Sequence, residues 1–264
     1  MIIKQLGANM REKELAKVIS QECIGTGVYS MWIETKAAQT AVAGQFVSVY
    51  CKDKTKLLPR PISICQIDKE KGRLRIVYRV VGGGTEEMSS YSAGDDISLI
   101  GPLGNGFMQR EGKKAILIGG GIGIPPMVGL AEALKGKAEV SVVAGYRDEL
   151  FLTKELENAG KLYIATEDGS TGTKGTVIDA IKEQAVGGDV IYACGPTPML
   201  KAIKEYALAN NIECQLSLEE RMACGIGACL ACVCQSKDKD THSNVNNKRI
   251  CKDGPVFLAE EVEL

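Results

Sequence analysis

Four of the ten cysteines fall in the stretch CGIGACLACVC, residues 224–234, separated by glycine, alanine and little else. Thiols this dense admit four chemistries: a disulfide knot, a zinc site, a redox switch or iron–sulfur ligation. Two further groups of residues have the types and spacing for chemistry. Gly119, Gly120, Gly121 and Gly123 form GGGIG, and Cys194, Gly195 and Pro196 open CGPTPM. Arg60, Pro61, Ile62 and Ser63 form RPIS, and a glycine turn ending in Gly84–Thr85 follows the segment Tyr78–Arg79. A glycine turn between a strand and a helix brings main-chain N–H groups and the helix N-terminus to an anion such as pyrophosphate. An arginine beside a second such turn suits another pyrophosphate, through guanidinium pairing and main-chain donors. Each motif alone also has a plain reading, as a tight connection or an edge-strand arginine. Pro125 and Pro126 depart from a strict G-x-G-x-x-G.

The elements that must carry these residues change character along the chain. Up to about residue 108 the pattern is of some six short, β-branched-rich strands, among them KVISQECIG, GVYSMWIET, GQFVSVYC and GRLRIVYRVV, with a helix only around 84–92. GTG divides the first two as a hairpin turn would. This predicts an antiparallel Greek-key β-barrel. From residue 114, strands alternate with helices: KAILIGG, EVSVVAGYR, LYIATED and DVIYACG each precede a helical segment. That predicts a doubly wound parallel α/β domain with helices on both faces. GGGIG and CGP then lie at two strand ends, where ligands of open α/β sheets bind, and converge on one crevice. The cysteines follow in a small C-terminal module. The expected divisions are 10–108, 109–212 and 213–264.

Composition removes several function classes. Lys+Arg 32 against Asp+Glu 33 gives no basic field for nucleic acid, and aromatics at 5% offer no base-stacking platform. The N-terminal MIIKQLGANMREKELAKV carries charge where a signal peptide needs an apolar core, and no segment approaches the length of a membrane span. A cytoplasmic protein without a membrane or nucleic-acid partner is expected. In a reducing compartment, disulfides give way to metal ligands and buried thiols. His242, the sole histidine, lies in the polar stretch QSKDKDTHSNVNNKR, so histidine acid–base chemistry is not expected.

Barrel, R-x-x-S, glycine–threonine turn, G-G-x-G and C-G-P together resemble the ferredoxin reductase superfamily. The resemblance implies FAD on the barrel, held by Arg60, Pro61, Ile62, Ser63, Val77, Tyr78, Arg79, Gly84 and Thr85. Arg60 and Thr85 would contact phosphates, and Ser63 would lie near the flavin ring. The superfamily usually stacks a tyrosine where this chain has Ile62. The resemblance also implies NAD(H) as substrate in the α/β domain, at Gly119, Gly120, Gly121, Gly123, Cys194, Gly195 and Pro196. Cys194 is the candidate near the nicotinamide, with packing at a strand end as its alternative. For the 2′ position of the nucleotide, Arg147 suits a phosphate and Asp148 or Glu149 a free hydroxyl; the resemblance favours NADH.

Behind such a flavin domain, Cys224, Cys229 and Cys232, spaced C-x4-C-x2-C, with Cys251 beyond, match plant-type [2Fe–2S] ligation. Zinc would more typically take paired knuckles. Cys234 is then a bystander on the other side of its strand, and Cys23, Cys51, Cys65 and Cys214 are small core residues. ERMACGIGACLACVC, RPIS, GGGIGIPP, CGPTPML and CKDGPVF, covering nearly the whole chain, are most similar to the electron-transfer subunits of NAD-dependent (class 1B) dihydroorotate dehydrogenases. This implies an oxidoreductase of pyrimidine biosynthesis that relays electrons between NADH, FAD, the cluster and an FMN-containing catalytic subunit, in a heterotetramer of two of each. Glu220 and Arg221 are candidates to approach the flavin or the domain interface, with a surface ion pair as the alternative. Two rival readings are a related NAD(P)H:ferredoxin oxidoreductase or sulfide dehydrogenase subunit, and a zinc-stabilised nucleotide-binding regulatory module.

Overall fold

The computed structural model describes residues 12–237, 239 and 244–264. His242 and the residues before 12, on which two expectations rest, lie outside the described residues. Among these, strands β1 (Glu14–Gly25), β2 (Val28–Glu34), β3 (Phe46–Tyr50), β4 (Arg60–Asp68), β5 (Arg73–Arg79) and β6 (Asp96–Leu103) close an antiparallel barrel. Helix α1 (Gly83–Ser89) interrupts the run, near the place the sequence predicts. The strand order β1-β2-β5-β4-β3-β6 is what makes the pattern more than a meander. Alternate side chains fill the interior: Met31, Ile33, Val47, Val49, Ile64, Leu74, Ile76 and Leu99 share one core. The opposite faces of β3 and β5 are therefore free to meet other parts of the chain.

Next come β7 (Lys114–Gly120), α2 (Ile124–Leu134), β8 (Glu139–Tyr146), α3 (Thr153–Glu157), β9 (Lys161–Thr166) and β10 (Thr173–Lys174). Helix α4 (Val177–Glu183), β11 (Val190–Cys194), α5 (Thr197–Ala209) and β12 (Glu213–Ser217) complete the alternation. The hairpin β13 (Val233–Gln235) and β14 (Asn247–Arg249) and the last strand β15 (Val256–Leu258) follow. The sheet order is β10-β9-β8-β7-β11-β12-β15, parallel except for β15. Ala115–Ile118 of β7 are buried on both faces, as a central parallel strand requires. Helices α2 and α3 cover the face toward the barrel, and α4 and α5 cover the other.

The stretch after residue 213 does not pack as a separate body. Strand β12 extends the parallel sheet beside β11, and β15 pairs antiparallel with β12, Leu216 opposite Phe257. Cys232, Ile250 and Cys251 belong to the same apolar core as Leu216, Phe257 and the barrel residues Phe46 and Leu103. The cysteine segment is thus wedged between sheet and barrel. A sequence reading of alternating strands and helices has no signal for this, because a three-residue antiparallel edge strand carries no periodicity.

Candidate cofactor sites

The sheet order reverses between β7 and β11, and the two glycine turns sit at the carboxyl ends of those strands. This is the switch point at which an open α/β sheet leaves a crevice. The turns touch, as expected. Gly119 is in register with Cys194, and a Cβ on Gly123 would run into the Cys194 carbonyl. A Cβ on Gly120 or Gly195 would collide with Met199 on α5. Gly121, at φ +52°, has open space where a side chain would be. The two prolines that break the dinucleotide pattern occupy the first turn of α2, where a missing N–H costs no helical bond. Cys194 lies beside Ser217 in register, and burial pushes its thiol up to about 12 against the opposing Ser217 hydrogen bond. That burial disfavours its thiolate.

Of the candidates for the nucleotide 2′ position, Glu149 is already engaged. Its carboxylate accepts the Thr26 amide of the β1–β2 turn at 2.7 Å, tying this loop to the barrel. Asp148 accepts the Glu149 amide at 2.7 Å, and Arg147 is exposed.

On the barrel, Arg60 opens β4 with its guanidinium laid against Gly84, so closely that a Cβ there would overlap it. Arg60 Nη1 also donates to the Leu58 carbonyl. The Thr85 hydroxyl is committed to its own turn. It accepts from Val81 N at 3.0 Å and Gly82 N at 3.3 Å and donates to the Gly82 carbonyl at 3.0 Å. It thereby fixes the glycine turn, leaving the first amides of α1 as donors without helical partners. Arginine, glycine cradle and free amides fit a pyrophosphate. Pro61, Ile62 and Ser63 are half-buried along β4, Ile62 against the barrel core. Tyr78 is turned inward. Its ring is inside the barrel, stacked on Tyr29 with centroids 6.0 Å apart, and its hydroxyl donates to Gln21 at 2.7 Å. Strand alternation turns Val77 the other way, toward the α/β domain, and Arg79 is exposed. What the segment 77–79 offers a flavin from Tyr78 is main chain.

The cysteines approach in two pairs. Cys224 and Cys229 have their sulfurs 3.3 Å apart, and Cys251 neighbours Cys232. All four are free thiols. Among the described residues no three or more His, Cys, Asp or Glu side chains are gathered closely enough to hold one metal ion. Gly225 and Gly227 take φ of +68° and +82°, the left-handed conformations that let the loop curl with its amides inward. Burial pushes the Cys224 thiol up, but donation from the amides of Ile226, Cys229 and Ala228 and from the Cys229 thiol holds it at about 6. Gly227 N donates to Cys251 Sγ at 3.1 Å. Cys251 is pushed up to about 12 by burial and by the adjacent Cys232. Amides converging on sulfur, on a loop of glycine and alanine, are the donor set that cluster thiolates need, so the residues fit a [2Fe–2S] group. Cys234 is turned to the hairpin, its Sγ donating to the Lys248 carbonyl at 3.6 Å. Glu220 and Arg221 are exposed.

Two residues that hold this loop have no sequence signal. Arg249, 8% exposed, donates from Nη1 to the Gly227 carbonyl at 3.1 Å and pairs with Asp253 at 3.4 Å. Asn105, at the barrel's exit, donates to the Lys252 and Asp253 carbonyls at 3.2 and 2.9 Å. Both act on main chain far away in sequence, and neither belongs to a motif.

Comparison with known proteins follows the same three parts. Residues 16–107 match the family model of the oxidoreductase FAD-binding domain, and residues 117–205 that of the oxidoreductase NAD-binding domain. Residues 219–263 match the iron-sulfur cluster binding domain of dihydroorotate dehydrogenase B. The chain is 43% identical over 253 residues to a protein of Caldanaerobacter subterraneus named dihydroorotate dehydrogenase B (NAD(+)), electron transfer subunit, covering 96% of this chain and 99% of the relative. A protein of the same name from Listeria monocytogenes is 45% identical, covering 94% and 98%. Among solved structures, that of an NADH-dependent reduced ferredoxin-NADP oxidoreductase, studied for flavin-based electron bifurcation, superposes with a TM-score of 0.85 at 30% identity. It covers 96% of this chain and 91% of that one. The ferredoxin reductase of carbazole 1,9a-dioxygenase shares the fold, with a TM-score of 0.64 at 20% identity over 76% of this chain and 66% of that one.

Proposed function

The chain belongs to the family of electron transfer subunits of dihydroorotate dehydrogenase B (NAD(+)), and from that premise we propose how its residues serve this oxidoreductase activity in pyrimidine biosynthesis. The protein passes electrons between NADH and a catalytic subunit through FAD and an iron–sulfur cluster. Bound FAD and cluster supply the redox chemistry, two-electron exchange with the nicotinamide and one-electron transfer onward. The chain's own work is binding and orientation. Gly119, Gly120, Gly121, Gly123, Cys194, Gly195 and Pro196 form the nicotinamide dinucleotide crevice, with Cys194 the candidate near the nicotinamide. Arg60, Pro61, Ile62, Ser63, the main chain of 77–79, and Gly84–Thr85 form the FAD site. Cys224, Cys229, Cys232 and Cys251 ligate the cluster, and Cys234 does not. No side-chain acid or base is required.

Within this proposal the chain divides at 10–108, 109–212 and 213–264, the third part sharing the second's sheet through β12 and β15. The catalytic partner carries FMN and the orotate site, in a heterotetramer of two of each subunit. NADH is preferred over NADPH, with Asp148 the available acceptor for a ribose hydroxyl. The proposed setting is cytoplasmic, where a reducing environment keeps cysteines available as cluster ligands and buried thiols. No helix among the described residues is long and apolar enough to cross a membrane.

The observation that carries the proposal is a sulfur-directed amide loop in a chain 43% identical to a member of this family over 96% of its length. The likeness to the ferredoxin-NADP oxidoreductase favours a second reading, in which the same cofactors serve another partner. Co-purification from the native cell separates the two. The expected result is an FMN-containing partner and NAD(+) reduction driven by dihydroorotate. A partner without that activity would establish the second reading. A colourless protein containing zinc would overturn both.

A further inference from the structure

Ser48 has a buried hydroxyl, at 1% exposure, with no hydrogen-bond partner among the described residues. Burying a hydroxyl unbonded is costly, and alanine at this position would avoid the cost. Its position says what the hydroxyl faces. On β3, Val47 and Val49 enter the barrel core, so Phe46 and Ser48 share the outward face. Phe46 packs into the core that contains Cys232 and Cys251. Two residues along, Ser48 meets the other end of the cysteine loop. A Cβ on Gly225, the neighbour of Cys224, would stand 2.7 Å from Ser48 Oγ. In the barrel sheet, Ser48 is in register with Pro61 of the RPIS strand on one side and Ile100 on the other. The hydroxyl thus occupies the seam between the strand assigned to FAD and the loop assigned to the cluster.

We propose that Ser48 donates its hydroxyl proton into the sulfur shell of the [2Fe–2S] group, on the Cys224 side of the loop. It is a potential-setting residue on the path between FAD and the cluster. The proposal rests on the reading that Cys224, Cys229, Cys232 and Cys251 ligate a cluster. Anionic sulfur is an acceptor for such a donor, and hydrogen bonds to cluster sulfurs are among the determinants of reduction potential. The amides of Gly227 and Cys229 already point at Cys251 and Cys224. Ser48 adds a side-chain donor from the barrel, so that the flavin domain itself tunes the centre it feeds.

The test uses the holoprotein and the variants Ser48→Ala, Ser48→Cys and Ser48→Thr. Iron, acid-labile sulfide and FAD are quantified first. An EPR-monitored redox titration then gives the cluster potential, and pulsed EPR of the reduced cluster in H2O and D2O detects exchangeable protons near it. Expected results are a cluster potential shifted negative in Ser48→Ala, loss of one exchangeable proton coupling, and unchanged FAD content. Ser48→Thr, which keeps the hydroxyl, retains the coupling. If Ser48→Ala does not fold, the near-isosteric and weaker donor Ser48→Cys carries the test with a shift of the same sign. An unchanged cluster potential and coupling would overturn the proposal, as would a shift confined to the flavin. Wild-type protein without iron and sulfide would instead sink the cluster reading beneath it.

Discussion

At Cys224, three main-chain amides and a neighbouring thiol are directed at one sulfur, whereas Cys234, ten residues on, gives its thiol to a carbonyl. Under the proposed ligand set, that contrast distinguishes Cys224 from Cys234 by surroundings as well as by spacing. Ser at Cys224, Cys229, Cys232 or Cys251 is expected to abolish the cluster's visible absorption and its iron and sulfide. Cys234→Ser is expected to keep all three, and bleaching by it would redraw the ligand set. Arg249 is the residue through which the far side of the loop is held, by a charge-assisted bond to the Gly227 carbonyl. Such bonds contribute about 1.5–3 kcal/mol. Arg249→Met should therefore release iron to a chelator roughly tenfold faster, a factor that corresponds to about 1.4 kcal/mol. FAD content should stay at the wild-type level. Equal release rates in wild type and variant would show that the loop does not depend on this clamp.

Helix α2 packs against β4 of the barrel at Gly129, where a Cβ would stand 2.4 Å from the Cys65 carbonyl oxygen. A mid-helix glycine costs up to about 1 kcal/mol relative to alanine, so alanine would stabilise α2 if nothing opposed it. Here the new methyl would press on main chain, and overpacking costs about 1–3 kcal/mol. The larger effect decides the sign. Gly129→Ala is expected to lower the thermal midpoint and slow flavin reduction by NADH, with FAD still bound; a raised midpoint would remove the close contact from the account. This contact also marks the limit of what the sequence discloses. The alternation of strands and helices and the two strand-end glycine turns were legible, because periodicity and glycine placement are local. The pairing of β12 with β15 and the approach of α2 to β4 were not, because they depend on which distant backbone arrives. The inward turn of Tyr78 is illegible for a related reason: a motif names a strand, while which of its side chains enter the barrel is set by register. Arg60 beside the Gly84 turn, and Cys224 beside Cys229, were legible as neighbourhoods because each pairing is short-range or lies within one loop.

Across the whole molecule, three cofactor regions must keep fixed separations, and the polar contacts between them are placed accordingly. Asn105 ties the barrel to the segment after Cys251, and Gln215 of β12 clamps the linker by exchanging bonds with both main-chain groups of Met108, each at 2.9 Å. The barrel-to-α/β seam has a different anchor. Arg75, on the outer face of β5 and buried, donates to Ser30 at 2.8 Å, to Gln66 at 2.8 Å and to Glu155 of α3 at 2.7 Å. Gln66 in turn donates to Glu132 of α2. One guanidinium therefore joins β2, β4 and β5 of the barrel to α3, beside the Gln66–Glu132 and Glu149–Thr26 ties across the same seam. Removing one partner of a buried pair costs about 3–5 kcal/mol. The Glu155 side chain is 29% exposed and regains some water, which places Arg75→Met toward or below the lower end of that range. The expected outcome is a lowered thermal midpoint and slower flavin reduction by NADH in stopped flow. Iron, sulfide and cluster potential should be unchanged, because every partner of Arg75 lies outside the cysteine loop. If flavin reduction kept its wild-type rate while stability fell, the arginine would be a staple of the fold with no part in aligning the two sites.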